Sequence, residues 1–339
     1  MKKHRIGLIG LGMAIKPHLE SLHDLRDRVE TGAAYARTQN TREKFSREHG
    51  IPAVENVDGI FNDQSIDSVL IMTPPWTHLE LTQAAAAAGK HVLLEKPLDV
   101  NAFRAAQSVE ACEKAGVVFG VVFQHRFRPA TRELRGLLQS NALGNLLSAS
   151  ATIRWWRSPE YFAQPGRGTF ERDGGGVLLT QAVHTLDVLL HLVGQAEWVT
   201  AIADNSNQRK IDTEDRANAA VRWKNGATGS IDATTLAFPG YPERIEIAGS
   251  EGSAVLEVES LNVQLKNGES ISLQGSAAGG GGSDPMAFTH EHHRACIEEF
   301  LNAIDESREP LNSGRSALEV QKLIDAIIQS GKTHMGVTV

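Results

Sequence analysis

The chain has 339 residues, a net charge of −7, 41% hydrophobic and 22% charged residues. That length exceeds one simple core and predicts two domains, the composition is that of a globular protein in water, and the acidic balance argues against a broad nucleic-acid surface. No run of about 18 apolar residues predicts a membrane span, and two cysteines, Cys112 and Cys296, in no metal or redox spacing predict reduced thiols and a cytoplasmic setting. Lys2, Lys3 and Arg5 precede an apolar stretch, as in a secretion signal, but Gly7, Gly10 and Gly12 break it.

Residues 5–10, Arg-Ile-Gly-Leu-Ile-Gly, read as a first strand. It runs into Gly10-Leu-Gly12-Met13-Ala14 and a helical pattern from Pro17. A glycine turn between a first strand and a first helix lets the backbone approach a pyrophosphate, which the helix N-terminus attracts. Ile15 stands where a third small residue usually lets that helix approach the sheet. Further strands are predicted at 32–36, 68–72, 91–95 and 117–122, with helices at 17–28, 41–49, 78–89 and 101–115. Alternating strands and helices imply a parallel sheet covered on both faces. The second strand ends at Ala36, where an NAD site usually carries Asp or Glu for the ribose 2′-hydroxyl. Without that carboxylate, Arg37 and Thr38 suit a 2′-phosphate, so NADP is favoured over NAD.

After about residue 125 the pattern changes. A helix is expected at 129–140, a strand at 146–156, a Gly-, Pro- and aromatic-rich loop at 158–175 and a helix at 176–193. Alternating stretches at 197–205, 215–223, 227–235, 242–249, 252–258 and 260–265, separated by turns such as Asn225-Gly226, read as antiparallel strands. Gly279–Gly282 with Ser283 reads as a flexible loop, and helices at 287–304 and 314–330 close the chain. The expected fold is α/β: a Rossmann dinucleotide domain over 1–124, then an α+β domain over 125–339 with a large, mostly antiparallel open sheet for substrate binding and oligomerisation.

The ordered set of motifs resembles the glucose–fructose oxidoreductase / inositol dehydrogenase (Gfo/Idh/MocA) family over nearly the whole chain. It comprises Gly10-Leu-Gly12, Thr73-Pro74-Pro75-Trp76-Thr77-His78, Glu95-Lys96-Pro97, Phe123-Gln124-His125-Arg126-Phe127, and Gly174-Gly175-Gly176 leading to His184-Thr185-Leu186-Asp187. The resemblance implies NAD(P) in the first domain and a sugar-like substrate between that domain and the second sheet. It implies that Lys96 meets the reacting hydroxyl or carbonyl, Pro97 shapes the nicotinamide pocket, Glu95 bonds cofactor ribose, and Pro74 and Pro75 line the cofactor groove with His78 nearby. Thr73, Gln124 and Arg126 complete the expected cofactor set. Many members carry Asp four residues before the histidine, but here position 180 is threonine.

A hydroxyl carbon releases hydride only as its proton leaves, so a base must stand within hydrogen-bond reach. Histidine titrates near neutrality, and a lysine cation polarises a carbonyl oxygen. Lys96 and His184 are therefore the acid/base candidates, with Thr180 and Gln181 as neutral hydrogen-bonding groups. Arg126, Trp156 and Arg167 join Lys96, Thr180, Gln181 and His184 as candidate substrate contacts; Asp187 reads as an anchor. His290, His292 and His293 do not match a closed zinc site, so no metal is expected. The reading is an NAD(P)-dependent oxidoreductase of a sugar, polyol or derivative, forming a homodimer or homotetramer through the second sheet. Its rivals are a silent nucleotide-binding regulator and a lyase or hydrolase that recycles its cofactor.

Overall fold

A computed structural model describes residues 3–275 and 289–339. The predicted glycine loop at 279–283 lies outside them. The chain divides into two compact units, one holding the described residues up to Gln124 with Thr289–Leu318, the other those from His125 to Gly275 with Glu319–Val339.

The first unit alternates β1 (His4–Ile9), α1 (Ile15–Asp24), β2 (Val29–Tyr35), α2 (Gln39–His49), a short α3 (Asp58–Phe61), β3 (Ser68–Ile71), α4 (His78–Ala87), β4 (His91–Leu94), α5 (Ala102–Ala115) and β5 (Phe119–Val121). The five strands pair in parallel in the order β2-β1-β3-β4-β5. β3 and most of β4 are buried on both faces, which explains their unbroken apolar runs. Strand order reverses between β1 and β3, and ligands of such sheets bind outside the carboxyl ends at that switch point.

The second unit holds α6 (Pro129–Gln139), β6 (Leu146–Arg154), two single-turn helices α7 (Pro159–Phe162) and α8 (Phe170–Asp173), a π-helical turn at Leu178–Ala182, and α9 (Val183–Val193). Then follow β7 (Ala196–Asp204), β8 (Arg216–Trp223), β9 (Thr228–Thr234), β10 (Arg244–Gly249), β11 (Gly252–Glu257), β12 (Ser260–Leu265) and β13 (Ser270–Leu273). With β14 (Val337–Thr338) they make a nine-stranded sheet, order β13-β12-β11-β10-β6-β9-β8-β7-β14. Alternation along β8 buries every second side chain, with α9 packing on β6 and β10.

Four differences from the sequence reading stand out. The pair β6–β9 is parallel within the otherwise antiparallel sheet, a choice that strand periodicity cannot express. β13 and β14 are additional edge strands, too short for a clear alternation. The segment Phe170–Val193 is long and apolar enough to cross a membrane by length and composition; most of it is buried in the protein, as a core helix is. Finally, α10 (Glu291–Asp305) belongs to the first unit, not to a second domain running unbroken to 339. It packs on α1 and β4, and the Val121 amide donates to the Asn312 carbonyl at 2.8 Å, so the returning chain extends the edge at β5. The closing helix α11 (Gly314–Thr333) is shared, its first turn counting with the first unit and the rest with the second. Both cysteines are buried thiols outside any disulfide, and burial pushes the Cys112 thiol up to about 12.

Candidate functional site

The carboxyl edge of the parallel sheet collects most of the expected cofactor residues. Gly10 follows β1 with φ +96°, and a Cβ there would stand 2.7 Å from the Met72 carbonyl oxygen, so only glycine fits. Gly12 differs: the space its Cβ would take has no protein atom within 4 Å. This open cradle before α1 is what a turn needs for close backbone approach to a pyrophosphate. Met13 is exposed and Ala14 is the N-cap of α1 without a side-chain bond, while the Ile15 amide donates to the Gly12 carbonyl at 3.2 Å. Ile15 opens the helix half-buried.

Past β2, Ala36 is buried while Arg37 and Thr38 are exposed. Thr38 is the N-cap of α2, its hydroxyl 2.7 Å from that of Thr41. Arg42 was missed by the sequence reading. Its Nη1 donates to the carbonyls of Ala36 (2.8 Å) and Arg37 (3.1 Å), fixing a second guanidinium against the end of β2. Its signal was a cation in the first turn of the second helix, four residues after Thr38.

After β3, Thr73 and Thr77 share a hydroxyl contact at 2.6 Å, and Pro74 and Pro75 follow at the edge. His78 is fully buried rather than lining a groove. Its Nε2 lies 2.8 Å from the Thr73 carbonyl and its Nδ1 3.0 Å from that of Pro97, so it braces the loops after β3 and β4. Gln124 sits past β5 with its side-chain oxygen buried and without a hydrogen bond inside the described chain.

The loop after β4 carries Glu95, Lys96 and Pro97, with a cis bond between the last two. Glu95 accepts the Lys96 amide at 3.0 Å through Oε2 and contacts His18 Nε2 at 2.7 Å through Oε1. Burial pushes the Glu95 carboxyl up, but the hydrogen bond and charge of His18, with the Lys96 cation beyond, outweigh it and hold it below the usual range. Both oxygens are thus engaged inside the protein, which ties Lys96 to the turn helix. Among the described residues His18, Glu95 and His293 form the one group whose ligand atoms all lie within 4.8 Å. Two ligands on a tetrahedral zinc stand about 3.4 Å apart, so the 2.7 Å contact is a hydrogen bond. The run 290–293 does not gather: His290 turns to Asp24 at 2.9 Å, while His293 meets the edge of His18.

Burial pushes His293 and His191 down to about 3 and lowers His78 as well. His293 and His191 are neutral when folded, whereas the unfolded chain protonates near pH 6.5. Their stabilising contribution is complete above that pH and is lost as pH falls from about 6.5 toward 3, at about 1.4 kcal/mol per unit for each. Urea unfolding at a series of pH values should show that slope, and His293→Gln should flatten it by about one histidine's share. A stability flat between about pH 6.5 and 5 would contradict the reading.

In the second unit the catalytic candidates sit on one helical stretch. Glu214, on the chain before β8, caps its start: its carboxylate accepts the amides of Gly176 (3.0 Å) and Leu178 (3.1 Å), and its carbonyl accepts that of Val177 (2.9 Å). A Cβ at Gly176 would fall 1.9 Å from the Glu214 carbonyl oxygen, so the glycine run makes room for the cap. Burial pushes the Glu214 carboxyl up, against the pull of those amides. The π turn holds Thr180 and Gln181, so the plain α-helical spacing assumed between positions 180 and 184 is interrupted. Such turns are frequent at functional sites.

The Thr180 hydroxyl is 2.7 Å from the Gly176 carbonyl and also touches the Gln181 amide, which lies 3.2 Å from the Tyr161 hydroxyl. Arg167 lies over the Tyr161 ring at 5.0 Å and donates to Asp173 at 2.9 Å. Trp156 stands apart from this group, beneath the Arg209 guanidinium at 5.4 Å. Arg157 is almost buried over Trp155, and burial lowers its pKa. Arg126 turns inward: its Nε donates to Asp187 Oδ2 at 2.8 Å and its Nη2 to Oδ1 at 2.5 Å, in a fully buried pair. It is an internal partner of the Asp187 anchor rather than an open substrate contact. His184 is nearly buried, and its ring stacks on that of His125 with centroids 4.5 Å apart.

A parallel sheet with a glycine turn and an edge lysine, and a second unit built on a mostly antiparallel sheet, together have the plan of the nicotinamide-dependent oxidoreductases. Residues 4–123 match the oxidoreductase family model with an NAD-binding Rossmann fold, and residues 131–255 match the GFO/IDH/MocA C-terminal domain. The chain belongs to the Gfo/Idh/MocA oxidoreductase family. It is 28% identical to myo-inositol 2-dehydrogenase of Thermotoga maritima, over 91% of both chains. It is also similar to the solved levoglucosan dehydrogenase–NADH complex (25% identity, TM-score 0.89, 100% and 99% of the chains covered). A third likeness is to WlbA of Bordetella pertussis with NADH and UDP-GlcNAcA (26%, 0.85, 100% and 99%).

Proposed function

We propose that this protein moves hydride to or from the hydroxyl or carbonyl carbon of a sugar, polyol or sugar derivative, with NADP preferred. The observation that carries the reading is Lys96 at the carboxyl edge of the parallel sheet, its amide fixed by Glu95, in the same unit as the open Gly12 cradle. The nicotinamide supplies the hydride acceptor or donor. The residues that would hold it are Gly10, Gly12, Met13 and Ala14 at the turn, Arg37 and Thr38 past β2, and Thr73, Pro74, Pro75, Glu95, Lys96, Pro97 and Gln124 along the edge.

In the oxidative direction a base takes the hydroxyl proton as hydride leaves; in reverse the same group returns it. The proposed groups are the Lys96 ammonium, which polarises the oxygen, and the His184 imidazole, which carries a proton. Thr180 bears no charge, so it orients a substrate hydroxyl and does not share the base's work. Tyr161, Arg167 and Gln181 form the neighbouring polar wall, and Trp156 offers an apolar ring face of the kind that suits a sugar. The relatives' names support sugar-like substrates: one acts on myo-inositol, another on levoglucosan.

The NADP preference rests on Ala36, Arg37 and Arg42. A charge-assisted bond contributes roughly 1.5–3 kcal/mol, or about 10- to 100-fold in affinity. Titrating purified protein should give NADPH binding tighter than NADH by about that factor, and Arg37→Asp should reverse the order. Binding of NADH, the cofactor held by the solved neighbours, as tight as or tighter than that of NADPH would overturn the preference while leaving the oxidoreductase reading. Turnover without net change in nicotinamide absorbance would favour the recycled-cofactor rival. The exposed face of the second sheet, bearing Trp198 and Ile202, is the proposed dimer or tetramer interface, checked by sedimentation.

A further inference from the structure

We infer that His125 is a positioning residue for His184, a neutral imidazole platform locked in one tautomer by Arg128. The role rests on His184 being the proton carrier proposed above. The two rings stack at 4.5 Å between centroids and 28° between planes. Arg128 Nη2 lies 3.0 Å from His125 Nε2. A guanidinium only donates, so Nε2 must be the unprotonated acceptor and Nδ1 carries the proton. A protonated His125 would set N–H against N–H, so the contact excludes the imidazolium.

Arg128 is itself held. Its Nη1 donates to Glu243 Oε1 at 3.0 Å and to the Val258 carbonyl at 3.1 Å, and its Nε stands 3.9 Å from Glu259. Arg128 and Glu243 are nearly buried, so the guanidinium cannot swing away without leaving a carboxylate unpaired in the interior. Rigidity therefore passes from Glu243 through Arg128 to the His125 ring, and from its face to the ring of His184. Asp187, the buried partner of Arg126, lies one turn further along the same helix as His184. The platform covers one face of His184 and fixes its ring plane. An acid/base imidazole needs both, because proton transfer falls off steeply with misorientation. The motif at 123–127 contains His125, but the sequence pattern assigned it no role, since its partner is 59 positions away.

The test reads the rings directly. In protein labelled with 15N and 13C histidine, at neutral pH, His125 should show a pyridine-type Nε2 and a pyrrole-type Nδ1. The ring protons of His184 should be shifted upfield by the stacked ring. His125→Phe, which keeps a flat platform, should retain that shift; His125→Ala should abolish it while far-UV dichroism stays unchanged. In turnover of NAD+ or NADP+ with myo-inositol or levoglucosan, His125→Ala should lower kcat by about 10-fold or more with KM changed by less than about 3-fold, and His125→Phe should recover most of kcat. An Nε2-protonated His125, or His184 shifts unmoved in His125→Ala, would overturn the inference. If His184→Asn leaves turnover intact while the ring shifts behave as described, the catalytic reading fails and the platform stands.

Discussion

Lys96→Met is expected to lower kcat by about 10³-fold, within the 10²–10⁴ typical of a lost acid/base or polarising group. The substitution keeps the length and apolar stem of the side chain and removes only the ammonium. The backbone of position 96 is held by Glu95 Oε2 at 3.0 Å, and Glu95 in turn by His18 at 2.7 Å, so neither anchor depends on the lysine head group. Nucleotide affinity should therefore change by only a few-fold, and the fold should melt as before. Steady-state kinetics with a polyol, set beside nucleotide titration, separates these effects. A variant with undiminished kcat would remove Lys96 from the chemistry. A variant that keeps its full effect in cells without turnover would revive the regulator reading.

Asp187→Ala is expected to cost about 3–5 kcal/mol of stability, the usual penalty for leaving half of a buried pair behind. Burial pushes the Asp187 carboxyl up, opposed by the Arg126 guanidinium that touches both its oxygens. Neither side chain reaches solvent, so an orphaned Arg126 cannot be rehydrated where it stands. Replacing both partners, Arg126→Met with Asp187→Leu, should recover most of the loss, because two apolar groups carry no desolvation penalty. Denaturant unfolding followed by tryptophan fluorescence measures both. Since the chain has two units, the transition is fitted by unit rather than as one step. A loss under about 1 kcal/mol in the single variant would show that the pair is not the anchor of α9.

Much of the first unit was legible because its signals are local. The glycine turn, the short apolar strands and the alanine-rich helix each declare themselves within ten residues. The edge position of Lys96 followed from the same rhythm, since a residue just past a parallel strand lies at the carboxyl end of the sheet. The second sheet was legible strand by strand, through alternation and turns. Its pairing order was not, and the parallel contact of β6 with β9 is a property of two segments about 80 residues apart.

The site residues divide in the same way. Gly10, Gly12 and Lys96 could be placed at the sheet's carboxyl edge because backbone geometry and chain position determine where they stand. Arg126 was misplaced because a lone arginine has no local sign of its partner, and Asp187 stands 61 residues on. His18 was overlooked for the same reason: it meets Glu95 across 77 residues. Arg42, Glu214 and His125 act through a carbonyl, a helix start and a ring face that exist only once the chain has folded.

By itself, then, the sequence determined the two kinds of sheet, the turn that invites a dinucleotide, the family and the lysine at the edge. These depend on backbone conformation and side-chain periodicity, which act over a few residues. Only the tertiary structure decided that α10 returns to the first unit, that a π turn carries Thr180 and Gln181, and which charged and aromatic groups meet. Those outcomes follow from burial, which forces each polar group to find whichever partner the packed chain brings within reach, however distant along the sequence.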